Sequence, residues 1–263
     1  MDIIEAIKKR HSVRSYQEKP LSKEELELLQ KAIDSSFTLF GGKLTIRLKS
    51  FDLKEGFKPS TYGFIKGASD FFLLGVGNDE VSALTAGFQF EQVVLKATEM
   101  GLGTCWIAAT FKGTDFERNE SWPEGESLKL ISPVGYPEKP RLIEKLGRKA
   151  MGSDHRLPIS KLFFEDDFQK TLNEENEYMF SLEMLRLAPS STNSQPWRIL
   201  IKDNKVMFYY KPKSQVAIVD MGIGICHFYE AEKFKGFKGE FFKEEKYQLP
   251  PEDWKYLISY KRT

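Results

Sequence analysis

The chain is poor in the residues that build disulfide frameworks and metal centres. Its 263 residues include two cysteines, Cys105 and Cys226, and three histidines, His11, His155 and His227. Two distant cysteines make no disulfide framework, and scattered histidines form no helical pair that would grip a metal. Cys105 reads as a small buried hydrophobe rather than a redox thiol, and His227 as a packed imidazole. No apolar run approaches the ~20 residues of a membrane span. Neither sign of charge dominates: 39 Lys and Arg stand against 38 Asp and Glu. No net field therefore draws the chain to nucleic acid or to an anionic membrane. The opening "MDIIEAIKKRHS" is amphipathic and partly acidic, unlike a secretory signal. A cytoplasmic protein is expected, with no membrane or nucleic-acid partner. No Gly-rich loop ends in Lys-Ser or Lys-Thr. "GIGICH" (222–227) lacks the third glycine of a dinucleotide fingerprint and reads as a helix start in apolar surroundings.

What is present is an ordinary globular balance, 41% hydrophobic and 29% charged, long enough for one large or two small domains. Residues 2–9 pattern as a helix with Ile3, Ile4 and Ile7 on one face. "LSKEELELLQKAI" opens with a capping box, Ser22 with Glu25, and Leu26, Leu29 and Ile33 form its apolar stripe. "KLTIRL" (43–48) alternates like a strand. "DFFLLGVG" (70–77) is a continuous apolar run suited to a strand buried on both faces. A long helix follows through "FEQVVLKATEM", and Gly101 is placed to end it. "TCWIA" and "LISPVGYP" read as further strands. Strands alternating with long helices predict an α+β or α/β layered fold.

Between the first two helices lies "RHSVRSY". If it is extended, Arg10, Ser12 and Arg14 point one way. Two guanidinium forks and a hydroxyl then converge, a donor set that matches phosphate oxygens. From charge alone the segment reads as a solvated basic loop. Its company changes the reading. With "GLGTCWIA" (101–108), "SPVGYP" and the Ser- and Asn-rich "APSSTNSQPW" (188–197), the chain resembles the nitroreductase superfamily of FMN enzymes. That resemblance implies an α+β fold of mixed sheets flanked by helices. It also implies an FMN-dependent oxidoreductase that takes hydride from NAD(P)H and reduces a nitroaromatic, quinone or similar small acceptor. An FMN-binding carrier or redox sensor without turnover is the alternative, and an interaction domain that has lost flavin is a third reading.

In that family "APSSTNSQPW" follows soon after the basic motif; here most of the chain separates them. An offset of 155 residues explains the displacement. It lays "IDSSFTLFGGKLTI" (33–46) over "APSSTNSQPWRILI" (188–201) without a gap, each after an amphipathic helix and before a strand. "VDMGIGICHFYEAEKF" then resembles the long helix of the first half, and no counterpart of "GLGTCWIA" is expected after it. Family enzymes are homodimers whose flavins lie between subunits. The resemblance therefore implies two related halves in one chain that mimic the homodimer: 1–165, with the phosphate-side motifs, and 166–263, a shorter degenerate repeat supplying the flavin loop. A monomer is expected. At the same offset Arg10, Ser12 and Arg14 fall on Glu165, Asp167 and Gln169, where carboxylates would repel phosphate. Thr38 and Phe40 stand where the second half has Asn193 and Gln195.

By resemblance, Arg10, His11 and Ser12 hold the FMN phosphate, and Arg14 lies near the pyrimidine edge. Arg156 adds a phosphate contact, although Asp154 stands where the family often has Lys. Tyr62, Gly63 and Lys66 flank the ring. Backbone N–H groups of Ile107, Ala108 and Ala109 face its N5/O4 edge. Pro189, Ser190, Ser191 and Asn193 contact it from the second half. No catalytic side chain and no metal ligand is expected, because the flavin carries the chemistry.

Overall fold

The computed structural model describes residues 1–52, 58–138, 155–251 and 253–263. It divides into two compact units, Met1–Leu146 and Gly147–Thr263.

Unit 1 begins with helix α1 (Ile3–Lys9), whose first turn is capped by Asp2 accepting from Glu5 N. Helix α2 (Lys23–Ser35) carries the full capping box of Ser22 and Glu25. Strands β1 (Leu44–Ser50), β2 (Asp70–Gly77), β3 (Gly103–Thr104) and β4 (Glu126–Gly135) form one sheet in the order β1-β2-β4-β3. Every residue of β2 is buried, as its apolar run predicts, yet both its neighbours are antiparallel. Helix α3 (Glu80–Glu99), held at its start by Asp79, covers the sheet with residues buried all round, among them Phe88, Phe90 and Leu95. Its N-cap is worth ~1 kcal/mol, while each such side chain contributes about 1.5–3 kcal/mol on full burial. Packing, not capping, holds it. A short helix α4 (Gly113–Phe116) precedes β4. "TCWIA" is less of a strand than expected: only Gly103 and Thr104 pair regularly, and Ile107 bridges to Ile131 alone.

Unit 2 has a six-stranded sheet of β5 (Phe163–Glu165), β6 (Asp167–Thr171), β7 (Trp197–Lys202), β8 (Lys205–Tyr210), β9 (Gly239–Phe242) and β10 (Lys255–Arg262), in the order β6-β5-β7-β8-β10-β9. Helix α5 (Met179–Arg186) precedes the loop 188–197, and helix α6 (Ala217–Phe234) follows β8. "GIGICH" therefore lies inside α6 and is not a helix start. His227 is fully buried there, its Nδ1 3.1 Å from the Met184 carbonyl.

The repeat is visible in this topology. The run β7-β8-β10-β9 has the order and antiparallel pairing of β1-β2-β4-β3, with a long helix after the second strand in each. The helices also end alike. Gly101 and Gly236 adopt φ of 79° and 82°. Their N–H groups donate to Thr98 and Lys233, and the next N–H groups, of Leu102 and Phe237, donate to Ala97 and Glu232. Both are Schellman ends. The second half thus does contain a counterpart of the "GLGT" turn and edge strand, namely "GFKG" and β9. The sequence offset missed it because it changes partway. Residues 51–69 join β1 to β2, whereas β7 and β8 are joined by Asp203-Asn204, both at positive φ, as a tight right-twisted hairpin requires.

Two further expectations shift. Phe163–Glu165 pair in parallel with β7, so the break between compact units comes before these residues, at 146/147, and not at 165/166. Glu165, Asp167 and Gln169 belong to a hairpin on the β7 side of their sheet, whereas Ser12 bridges to β3 on the opposite edge of its own. They are not the decayed equivalents of Arg10, Ser12 and Arg14. Only residues 172–178 separate β6 from α5, too few for both a helix like α1 and the segment after it.

Unit 2 is closed by a buried ion pair. Arg262 donates Nε and Nη2 to Glu232 at 2.7 and 2.9 Å, and Ser181 donates to the same carboxylate at 2.6 Å. The guanidinium lies between the rings of Tyr178 and Phe237, at 4.0 and 3.7 Å from their centroids. Glu232 is 1% exposed, so removing its partner strands a buried charge. Arg262→Ala is expected to destabilise the protein by about 3–5 kcal/mol in urea unfolding; a loss below ~1 kcal/mol, the level of an exposed pair, would contradict this assignment.

Candidate functional site

The basic motif is set by where α1 stops. Arg10 leaves the helix with φ −55° and ψ 125°, and the chain runs extended from there. Val13 N donates to Thr104 O, Lys66 N to Arg14 O, Tyr16 N to Lys66 O and Gln17 N to Tyr136 O, each at 2.9–3.0 Å. One short segment is thereby stitched to the edge strand, to "TYGFIKGA" and to the end of β4. Val13, Ser15 and Tyr16 are buried, which leaves Arg10, Ser12 and Arg14 half-buried.

All three side chains act on Cys105, Ser12 and Arg14 through hydrogen bonds and Arg10 through its charge. Burial pushes the thiol pKa up, while Arg14, Ser12 and Arg10 beside it act in the opposite sense. The net direction keeps the thiol protonated and unreactive, as expected of a small buried hydrophobe. Arg14 lies over the ring of Phe64 at 4.6 Å. Among the described residues no carboxylate pairs with it, and its buried Nε has no hydrogen-bond partner. A buried donor left so is costly unless a ligand takes it.

The rest of the unit 1 set is more mixed. Tyr62 and Gly63 form a turn at positive φ, closed by Phe64 N donating to Thr61 O. Tyr62 is 69% exposed, and Lys66 and His11 are exposed as well. Ala108 and Ala109 present an exposed stretch. The Ile107 N–H differs from expectation: it donates to Ile131 O at 2.9 Å. Sheet formation has used that donor, so it is not free to face a ligand.

In unit 2, Ala188–Trp197 is a tightly wound loop. Thr192, Asn193 and Gln195 have φ of 51°, 54° and 45°. Such conformations persist only where surroundings over-determine them. Ser190 Oγ accepts from Gln195 N at 2.9 Å, and Ser190 O accepts from Asn193 N at 3.0 Å. Ser191 N donates to both carboxylate oxygens of Asp220, each at 3.1 Å. Asn193 Nδ2 donates to His155 O at 2.9 Å, and Arg156 approaches Asn193 Oδ1 at 3.4 Å. Arg156 and Asn193, distant in sequence, thus stand side by side. Asp154, the expected departure beside Arg156, lies outside the described residues.

A family model described as "Putative TM nitroreductase" matches residues 2–232. The chain belongs to this nitroreductase family. A Thermotoga maritima structure described as a "putative nitroreductase" superposes with a TM-score of 0.63 at 22% identity, covering 99% of this chain and 92% of that one. This similarity establishes the nitroreductase-type α+β fold. A nitroreductase family protein of Clostridium difficile 630 has a TM-score of 0.45 at 21% identity, covering 61% of this chain and 96% of its own. A Bacteroides fragilis nitroreductase with bound FMN gives 0.43 at 16%, covering 54% and 91%. No curated protein matches the chain.

For a nitroreductase family member, four residues escaped the reading of sequence alone. Phe64 supports Arg14, and Cys105 sits among the cations. Gln195, buried, accepts from Leu157 N at 2.8 Å. Asp220 anchors Ser191. Gln195 had a signal, a polar residue directly before the Pro-Trp that starts a strand. Asp220 had one as well, a lone carboxylate in the apolar helix "AIVDMGIGIC".

Two glycines in "TYGFIKGA" test how rigidly the basic segment is held. Both have φ of 78°. A Cβ on Gly67 would come 2.0 Å from the Tyr16 carbonyl, whereas one on Gly63 meets nothing within 4 Å. Gly63→Ala is expected to cost only the left-handed penalty, about 1–2 kcal/mol. Gly67→Ala adds a backbone clash and is expected to cost several kcal/mol more. Equal melting temperatures for the two variants would contradict the stitched segment.

Proposed function

We propose that this protein is an FMN-dependent oxidoreductase that takes reducing equivalents from NAD(P)H and passes them to a nitroaromatic, quinone or similar small acceptor. The observation that carries this reading is Arg14: a guanidinium held on Phe64 beside Ser12 and Arg10, with a buried donor unused, in a member of the nitroreductase family. The donor set fits the cofactor. Two guanidiniums and a hydroxyl suit phosphate and an electron-rich ring edge.

The chemistry FMN supplies when bound is two-electron acceptance from a reduced nicotinamide and delivery to an acceptor. The chain supplies position and charge. Arg10 and Ser12 are assigned to the phosphate, with His11 beside them and Arg156 as a further contact. Arg14 brings fixed positive charge that favours the reduced, anionic cofactor. Ala108 and Ala109 offer amide donors to the ring edge, and Tyr62, Gly63 and Lys66 flank it. Pro189, Ser190, Ser191 and Asn193 are assigned contacts from unit 2. Asn193 engages His155 and Arg156.

We assign one FMN to each chain. The basic segment occurs once, in unit 1. The Ser-Asn loop occurs once, in unit 2. Where unit 2 has Asn193 and Gln195, unit 1 has Thr38, bonded to Thr85 at 3.2 Å, and Phe40, packed on Phe88.

Purified protein is expected to be yellow and to oxidise NADH or NADPH when a nitroaromatic or quinone is added. Arg10→Ala is expected to raise the FMN Kd by one to two orders of magnitude, the loss of a charge-assisted bond worth ~1.5–3 kcal/mol. An unchanged Kd in that variant would return "RHSVRSY" to a solvated basic loop. Flavin binding without NAD(P)H turnover would favour the carrier reading.

A further inference from the structure

We infer that Asp220 is a positioning residue for the flavin-binding loop: its carboxylate fixes the Ser190–Asn193 backbone through the Ser191 N–H. This rests on the flavin reading above.

The geometry is specific. Asp220 sits in the first turn of α6 and is 3% exposed. Both its oxygens lie 3.1 Å from Ser191 N. The loop beyond that amide turns through Thr192 and Asn193 at positive φ, a path that needs an external anchor. Its other acceptors are neutral, namely Ser190 Oγ, the Ser190 carbonyl and the His155 carbonyl, while the Arg156 guanidinium donates to Asn193 Oδ1 at 3.4 Å. Asp220 is the charged acceptor in the set.

Unit 1 supplies an internal comparison. Counted back from the matching glycines Gly101 and Gly236, Asp220 occupies the position of Thr85. Thr85 Oγ1 also holds the preceding loop, accepting from Gly42 N at 3.1 Å and meeting Thr38 Oγ1 at 3.2 Å. Both units thus anchor this loop from the same helix position. A neutral hydroxyl serves where the loop lacks Asn and Gln. A carboxylate serves where the loop carries them, despite the desolvation cost of placing it there.

That cost leaves a measurable trace. Burial raises the Asp220 pKa to about 7, with the Ser191 N–H opposing the shift. Charged side chains on neighbouring elements have their own partners. Glu183 and Arg186 of α5 bond each other, Arg156 bonds the carbonyls of Leu187 and His155, and His227 of α6 lies against Met184 O. Because the folded pKa is raised, the protein gains stability from a protonated Asp220 below about pH 4 and loses it as pH rises through about 7. The loop runs the other way: the charged carboxylate is the stronger acceptor, so loop order rises over the same interval.

The test compares wild type, Asp220→Asn and Asp220→Leu from pH 5.5 to 8.5. Hydrogen exchange reads the Ser191–Asn193 amides in the apoprotein, and fluorescence titration reads FMN Kd. At pH 8, Asp220→Leu is expected to bind FMN about tenfold more weakly, with faster loop exchange and no loss of melting temperature. Wild-type affinity should fall as pH drops through 7, and Asp220→Asn should lack that break. Wild-type affinity and exchange in a folded Asp220→Leu, or the same pH break in Asp220→Asn, would overturn the assignment. Failure of the unsubstituted protein to bind FMN at any pH would overturn the flavin reading, and loop exchange would still decide whether Asp220 anchors the loop.

Discussion

The candidate site depends first on backbone hydrogen bonds made by one extended segment. Residues 13–17 have no regular strand of their own, yet their amides and carbonyls are shared among Thr104, Lys66 and Tyr136. These partners come from three places in the chain. The pairing satisfies backbone groups that would be expensive to bury unpaired, and it fixes the direction of every side chain on the segment. Arg10, Ser12 and Arg14 face one region because Val13 and Ser15 face the core. Gly103 has to be glycine for the same reason, since a Cβ there would come 2.7 Å from Val13.

Unit 2 solves the corresponding problem differently. Among its described residues there is no equivalent of α1 and its following segment. Its loop is instead wound on itself and tied to polar groups, with Asp220, Ser190 and Gln195 as the fixed points. A short hairpin at Asp203-Asn204 replaces the long connection that carries "TYGFIKGA" in unit 1. The repeat has therefore kept its sheet and its helix ends while its loops have taken different work. Shared topology is a matter of packing, and loops carry function on top of it.

Much of this was legible in the amino-acid pattern. The capping box at Ser22, the buried run of β2 and the terminating role of Gly101 each rest on local rules, and each was found where the pattern placed it. Long-range features were less legible. A gapless offset of 155 residues aligned the loop after α2 with that after α5, then lost the counterpart of "GLGT", because loop length is unconstrained by the core. "TCWIA" read as a strand from composition, but only Thr104 pairs within a regular strand and Ile107 makes an isolated bridge. The Ile107 amide could not be assigned from sequence, since its partner Ile131 is fixed by the fold. Asp220 is a lone carboxylate in an apolar helix, but nothing local points to Ser191.

The proposal that the rest turns on is one flavin per chain. Flavin stoichiometry tests this most directly. FMN released by denaturation of the saturated, purified protein is measured against chain concentration from amino-acid analysis. The account predicts one FMN per chain. Two per chain would contradict the single site, and none would contradict the flavin assignment itself.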